Sequence, residues 1–356
     1  MQNDPRDTDG KKLIQALTLM GRDQSARQRI MALLIEFEAE IKYDGAIRED
    51  ITGPIADALH QDDDEYSFLL KDGTKVNYLY RTKIARDLLF APQSGASHLW
   101  EPQTTKLLLS LSGLISGDVI VGGAYFGDQA ILVAKSIMSD GHKVHCFEPN
   151  IAQASMLKKN VALNDLSNVE VLEKGLWHTS NEVMRLEGFD SFANAVVVSD
   201  GDGFGTETID NYVSENNIKV GMIQLDIEGS ELAALQGAAR ALQRDEPVVV
   251  FELHRSYVDW TDGLRNTEIC NLFLEMGYEV FAIRDINSHY EMPDHKVELV
   301  NIDHIYLEGP PHGFNMVAFP SGFSLDASDF RIMENVSPKL LQHKDPAIHH
   351  PYEGFD

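Results

Sequence analysis

Between about Glu101 and Pro320, short runs rich in Val, Ile and Phe alternate with stretches whose apolar residues return every three or four positions. That is the pattern of strands alternating with helices. The spacing predicts a first strand at DVIVG (118–122) and a helix with Ala130, Val133, Ala134 and Ile137 on one face. KVHCF (143–147) follows, then a helix containing Met156, Leu157 and Val161 for which Asn150 is a fitting N-cap, then VEVLE (169–173). GMIQLD (221–226) enters a helix with Leu232, Leu235 and Leu242 on one side, and PVVVFEL (247–253) is the next strand. Thr267 caps a helix through Ile269, Leu272, Phe273 and Met276 that stops at Gly277. YEVFAI (278–283) and FNMVAF (314–319) close the set, joined by a long polar loop. Seven strands, five in βα alternation with a hairpin-like pair at the end, predict a doubly wound α/β domain.

Outside that stretch the pattern changes. From Lys11 to about Lys42 it is helical, with Ile30, Leu33, Leu34, Phe37 and Ile41 on one face. Such a stripe packs on the protein's own body or forms a homodimer contact, the first being the ordinary outcome. QDDDE (61–65) is a solvated charge run, and YSFLL, KDG and TKVNYLY read as strand, Asp-Gly turn and strand. From about Ser321 the apolar residues scatter, which reads as an irregular tail whose His349 and His350 are solvent-exposed rather than metal ligands. The expected organisation is an accessory helical and hairpin region at 1–95, a main domain at 96–320 and a tail at 321–356.

Composition adds few but firm constraints. Thirty basic against fifty-six acidic residues give a net charge of -26, which opposes binding to nucleic acid or to an anionic membrane. The polar start, MQNDPRDTDGKK, has no signal-peptide core, and no apolar run nears the roughly 20 residues of a membrane span, so a cytoplasmic location is expected. Cys146 and Cys270 each fall inside an apolar pattern, where a reduced, buried thiol is the usual occupant.

The chemistry starts at the loop after the first strand. Ligands of such sheets sit beyond the carboxyl ends of the strands, and Gly123 and Gly127 lie just past DVIVG, where a missing Cβ lets a ligand approach the backbone. A dinucleotide asks for G-x-G-x-x-G, whereas here Gly122, Gly123 and Gly127 enclose Ala124, Tyr125 and Phe126. Asp128 places an anion at the helix start, which repels phosphate and suits an ammonium. A cationic nucleoside without phosphate, S-adenosylmethionine, fits better. Glu148, about 20 residues after the loop, stands where a carboxylate accepts both ribose hydroxyls. GLW (175–177) falls near the adenine edge, with Trp177 equally suited to the core. QLDIEGSE sets Asp226 and Glu228 at a strand end, with Ser230 as the N-cap of the next helix, and FELH sets Glu252 and His254 two apart on one side of a strand. If those strands are neighbours, three carboxylates and an imidazole share one rim, an arrangement kept by a compensating cation, a shared proton or a functional use.

WEP (100–102), GDVIVGGAYFGD (117–128), FEPN (147–150), ETIDNYV (207–213), QLDIEGSELAALQGA (224–238), FELH (251–254) and EMGYEVF (275–281) together resemble the FkbM-type S-adenosylmethionine-dependent methyltransferases. The resemblance implies the class I methyltransferase sheet of seven strands with the last antiparallel, and O-methylation of a sugar or natural-product hydroxyl. It implies cofactor contacts from Glu101, Gly123, Ala124, Tyr125, Gly127, Asp128, Glu148, Pro149, Gly175, Leu176 and Asp226. The family has an acid where this chain has Val121 and an Asn where it has Tyr125, so Asp128, Asp226 or Glu101 is expected to take over the acid's role. His254 is the expected base, with Asp226, Glu228 and Glu252 around it. A second version has those three acids hold Mg2+, although no metal-ligand spacing demands one. The polar loop from about Asp285 to His312 is expected to line the acceptor's pocket. Two other readings stay open: a nicotinamide-dependent oxidoreductase, which the glycine spacing disfavours, and a catalytically silent binding or scaffold protein.

Overall fold

The computed structural model describes residues 5–43, 45–81, 83–91, 95–188, 194–198, 203–292, 294–307, 313–326, 328–341 and 344–349. The chain divides into two compact units, one of Met1–Phe68 with Asn77–Gly95, the other of Leu69–Val76 with Ala96–Asp356. The first unit opens with α1 (Pro5–Gly21) and α2 (Gln24–Glu40). The single helix expected from Lys11 to Lys42 is therefore two. Asp23 breaks it, because its extended backbone lets its carboxylate accept the Ala26 N–H as an N-cap. Met31 and Leu34 pack with Ala56, Leu59 and Phe90 from α3 (Gly53–Leu59) and the later α4 (Lys83–Phe90). The rest of the predicted stripe divides: Ile30 joins that cluster, while Leu33, Phe37 and Ile41 are exposed. The expected hairpin is present as β1 (Glu65–Leu69) and β2 (Lys75–Leu79).

The second unit continues through α5 (Pro102–Ser112), β3 (Asp118–Gly122), α6 (Ala130–Ile137), β4 (Val144–Phe147), α7 (Ile151–Leu163) and β5 (Val169–Leu172). Four short strands follow, β6 (Gly175–Leu176), β7 (Val183–Glu187), β8 (Asn194–Val197) and β9 (Phe204–Glu207), making a small sheet that the periodicity did not reveal. Then come α8 (Ile209–Glu215), β10 (Val220–Leu225), α9 (Glu231–Gln236), α10 (Ala239–Asp245), β11 (Val248–Leu253), α11 (Glu268–Glu275) and β12 (Glu279–Arg284). The chain closes with β13 (Val297–Asn301), β14 (Phe314–Phe319), β15 (Phe330–Met333) and α12 (Pro346–His349).

The main sheet runs β15-β13-β12-β14-β11-β10-β3-β4-β5. Within it, β5, β4, β3, β10 and β11 are parallel, and β14 is antiparallel to both β11 and β12. This is the seven-stranded class I methyltransferase arrangement, extended at one edge by β13 and β15. Two expectations are corrected there. The polar loop between the closing strands contains β13, and the segment taken as an irregular tail supplies β15 and α12. His349 is buried, with its ring edge-on to Tyr306; His350 lies outside the described residues, as do 293 and 308–312 of the loop.

Alternation along β3 assigns its side chains to two cores. Ile120 joins the cluster on the side of α8 to α11, whereas Val119 and Val121 join Leu107, Leu108, Ala130 and Ile131 on the side of α5 and α6. Cys146 and Cys270 are free and buried, and burial raises both thiol pKa values. Among the described residues no helix is long and apolar enough to cross a membrane.

Candidate active site

The strand order reverses between β3 and β10, because β4 and β5 lie on one side of β3 while β10 and β11 lie on the other. A doubly wound sheet opens its ligand crevice at the carboxyl ends of the strands at that reversal. The loop after β3 starts there, but its glycines answer to the protein's own atoms. A Cβ on Gly123, whose φ is 73°, would stand 1.7 Å from the Asp226 carbonyl oxygen. On Gly127, φ 92°, it would stand 2.5 Å from a Leu157 methyl. These contacts give the glycines a packing reason as well: they let the loop fit against Asp226 and α7. The loop's N–H groups are used internally as well. Those of Gly123 and Ala124 donate to the Phe147 carbonyl, Gly127 N–H donates to Ala124, and Tyr125 N–H donates to Glu148 at 2.8 Å.

Glu148, buried at the end of β4, accepts from Tyr125 through Oε2 and from the Asn150 N–H through Oε1, 2.8 Å each. It fixes the loop and the start of α7 together. Asn150 completes that helix start by accepting the Ala152 and Gln153 N–H groups. Pro149 stands between them. Gly175 and Leu176 are β6 itself, and Leu176 approaches Gly122 at the end of β3. Trp177 is half-buried.

The acids converge as the sequence led us to expect, because β10 and β11 are parallel neighbours that end together. Carboxylate oxygens of Asp226, Glu228 and Glu252 all lie within 4.8 Å of one another. Glu252 and His254 both lie against Gly313, where an added Cβ would meet Glu252 Oε1 at 2.0 Å and His254 Cδ2 at 2.9 Å. Asp226 and Glu252 are close enough for a proton on one to be shared with the other, which favours the ionised form of Asp226. Asp226 keeps solvent-accessible surface although protein surrounds it, as a group facing a concavity does.

Burial raises these acids together. Asp226 is pushed up to about 6, held back by proton sharing with Glu252 and by the charge of Lys339. Glu228 is pushed up to about 8 by burial and then by Asp226 and Glu231, and Glu252 lies well above the carboxylate range for the same two kinds of reason. Asp128 rises to about 7 through burial and the charge of Asp226. Glu231 holds the turn by accepting Ile227 N–H at 2.9 Å and Gly229 N–H at 3.0 Å. Ser230 occupies the N-cap position of α9 but makes no cap hydrogen bond there, so the capping expected of its side chain is corrected, and Glu231 secures the turn before the helix instead.

Glu101 arrives from before α5. Asn315 Nδ2 donates to its Oε2 at 2.7 Å, and Asn287 Nδ2 donates to its Oε1 at 3.4 Å. Burial, then Asp285, pushes its pKa up to about 8. Asp285 in turn caps α5, accepting Gln103 N–H at 3.1 Å and Thr104 N–H at 2.7 Å. Among the described residues, eight that are not glycine have positive φ, and four of them are Asn or Asp, which tolerate it. Of the other four, Glu101, Tyr125 and Glu228 stand at this rim, each near 50°. Backbone strain gathers where the candidate site is.

Sequence reasoning missed Asn315 and Lys339, and it placed Asp285 and Asn287 only within a loop expected to line the acceptor's pocket. Asn315 had a local signal, a polar residue inside an apolar strand directly opposite Glu252. Val121, expected to stand where the family keeps a cofactor-binding acid, is 2% exposed in the α5 and α6 core, between Cys146 and Gln224 in register.

Residues 122–280 match the family model of the Methyltransferase FkbM domain. No curated protein matches the chain. Similar solved structures include methyltransferase FkbM from Methylobacillus flagellatus KT, 21% identical over 38% of this chain and 32% of that one, TM-score 0.30. The match thus spans about a third of that relative's length. Precorrin-6y C5,15-methyltransferase from Geobacter metallireducens GS-15 is 15% identical over 62% of this chain and 88% of that one, TM-score 0.35. M. jannaschii TYW2 in complex with AdoMet is 11% identical over 73% and 86%, TM-score 0.35.

Proposed function

With an FkbM methyltransferase domain matched over residues 122–280, we propose that the chain transfers the methyl group of S-adenosylmethionine to a hydroxyl of a small molecule, of the sugar or natural-product kind. The observation that carries this reading is the acidic rim at the strand reversal, which suits a ligand bearing an ammonium and a sulfonium and disfavours a pyrophosphate. Glu148 takes the ribose hydroxyls, with Gly123, Ala124, Tyr125, Gly127 and Pro149 shaping the wall beside it and Gly175 and Leu176 the adenine edge. Glu101, Asp128 and Asp226 face the amino-acid end in place of the acid that Val121 lacks.

Methyl transfer is an in-line displacement, so the protein's tasks are to align the two atoms and to take the hydroxyl proton. His254 is our base. Its Nδ1 accepts the Ser256 N–H at 3.1 Å, which puts the neutral ring's proton on Nε2 and uses the single lone pair of Nδ1, so taking the hydroxyl proton requires that this bond open. Asp226 is the second reading for this role, supported by its nearness to Glu252 and a pKa near the operating range. The three converging carboxylates also fit a hard cation such as Mg2+.

Calorimetry with S-adenosylhomocysteine, with NAD as control, tests the cofactor; binding of NAD alone would sink the proposal. With an acceptor found, His254→Ala is expected to lower kcat by about 10²- to 10⁴-fold with cofactor affinity unchanged. A near-wild-type rate in that variant moves the proton to Asp226. Loss of wild-type activity to a chelator, restored by Mg2+, would assign Asp226, Glu228 and Glu252 to holding the ion, which would lower the hydroxyl's pKa.

The N-terminal hairpin of α1 and α2 offers the homodimer contact in this proposal. Between Gly10 and Tyr43, six basic residues stand against four acidic ones, so this stretch lacks the chain's acidic excess while exposing Leu33, Phe37 and Ile41. Sedimentation of Leu33→Glu/Phe37→Glu beside the wild type checks it: a dimer that this variant turns into a monomer is expected.

A further inference from the structure

An acidic rim that receives an ammonium and a sulfonium has a difficulty with the third charge of the same ligand. The methionine end of S-adenosylmethionine also carries a carboxylate. Two like charges 4 Å apart repel by about 4 kcal/mol at the effective dielectric of a protein surface. Some cation must stand near.

We propose that Lys339, from the C-terminal segment outside the matched domain, receives the carboxylate of the ligand's amino-acid end, opposite the acids that receive its ammonium. The inference rests on the cofactor reading above. Its basis is how the chain delivers this side chain. Asp285 N–H donates to the Pro338 carbonyl and Leu340 N–H donates to the Asp285 carbonyl, each 2.9 Å, so the segment lies bonded alongside the end of β12. Lys339 N–H is held by Ser337 Oγ at 3.1 Å. Beneath, fully buried Arg284 donates to the Ser337 carbonyl at 2.8 Å and to the Ile348 carbonyl at 2.5 Å, with Glu298 at 2.9 Å balancing its charge. The Lys339 stem therefore starts from a fixed point, and its ammonium donates to Asn287 Oδ1.

Asn287 is the link to the acids, since its amide donates to Glu101. Lys339 also acts electrostatically on Glu101 and on Asp226, and the Asp226 backbone is what packs against Gly123 at the end of β3. An ammonium and carboxylates side by side are the complement of a zwitterionic amino acid. A lysine suits this better than an arginine clamp, because its flexible stem lets it leave Asn287 for the ligand.

The test is calorimetry on the full chain with S-adenosylhomocysteine and with its decarboxylated analogue, which keeps the nucleoside and the amine. Lys339→Met is expected to weaken S-adenosylhomocysteine by about 10- to 100-fold, the value of a charge-assisted hydrogen bond, and to leave the analogue unchanged. Lys339→Arg should recover most of the loss. Equal weakening of both ligands, the mark of a merely structural lysine, overturns the proposal, and so does no weakening of either. If the wild type binds neither ligand, the cofactor reading itself fails, a result separate from these.

Discussion

Glu298 and the acids at the ends of β10 and β11 belong to one sheet, yet they are built by opposite rules. Glu298 is fully buried in β13, and both its oxygens are met by guanidinium groups, Arg284 on one and Arg331 on the other. Asp226, Glu228 and Glu252 have each other for neighbours instead, and burial with mutual repulsion lifts their pKa values. A fold that neutralises one buried acid so fully has the means to neutralise the others. That it does not do so at the strand reversal supports the proposal that those acids meet a ligand's charge.

The comparison breaks first if Glu298 is dispensable. Glu298→Ala removes the carboxylate that balances the Arg284 charge in the interior, which costs about 3–5 kcal/mol. Urea unfolding should show that loss, whereas a cost under about 1 kcal/mol would mean that the pair holds nothing together. Val121→Asp makes a third setting, an acid in an apolar core with no partner. The family resemblance alone suggests that this change restores a cofactor contact. The packing of Val121 among Leu107, Ala130 and Ile131 says instead that it costs on the order of 3 kcal/mol, read from the same unfolding curves. A variant as stable as the wild type that binds S-adenosylhomocysteine more tightly would show that the position opens to the site.

What the sequence made legible follows from the range of the signals. Period changes and caps are local, so the strands of the seven-stranded core and the caps Asn150 and Thr267 were readable. Asp23 was equally local, and the long apolar stripe hid it. The strand β13 was lost because its Glu298 breaks the apolar run, and the reason for a glutamate there lies at Arg284 and Arg331, 14 and 33 residues away. The acidic rim was legible because two motifs each carry their own acids; Lys339 was not, since SPKLL has no periodicity and its meaning comes from pairing with Asp285. The glycine loop shows the reverse case. Its residues were found, but their packing reason, the nearby Asp226 carbonyl and Leu157, lies in parts of the chain that no loop motif mentions.

The smallest effect is the sharpest for the comparison, because it has an unusual sign. Glu228 ionises in the unfolded chain at about the ordinary glutamate value of 4.5, and in the fold only near 8. Below pH 4.5 both states hold the proton and the group is neutral to stability. Between there and pH 8 the folded state holds more protons than the unfolded one, so stability falls as pH rises. Glu101, raised to about 8, and Asp226, raised to about 6, act in the same direction. Glu228→Gln, neutral at every pH, removes one of these contributions. It is expected to stabilise the ligand-free protein by about 1 kcal/mol at pH 8 and to do little at pH 5, seen as a Tm difference that grows with pH. Mg2+ or a cationic ligand that binds the ionised rim should flatten the wild-type curve in the same window. If Glu228→Gln lowers Tm at pH 8, the acid is already satisfied there as Glu298 is, and the contrast between the two regions disappears.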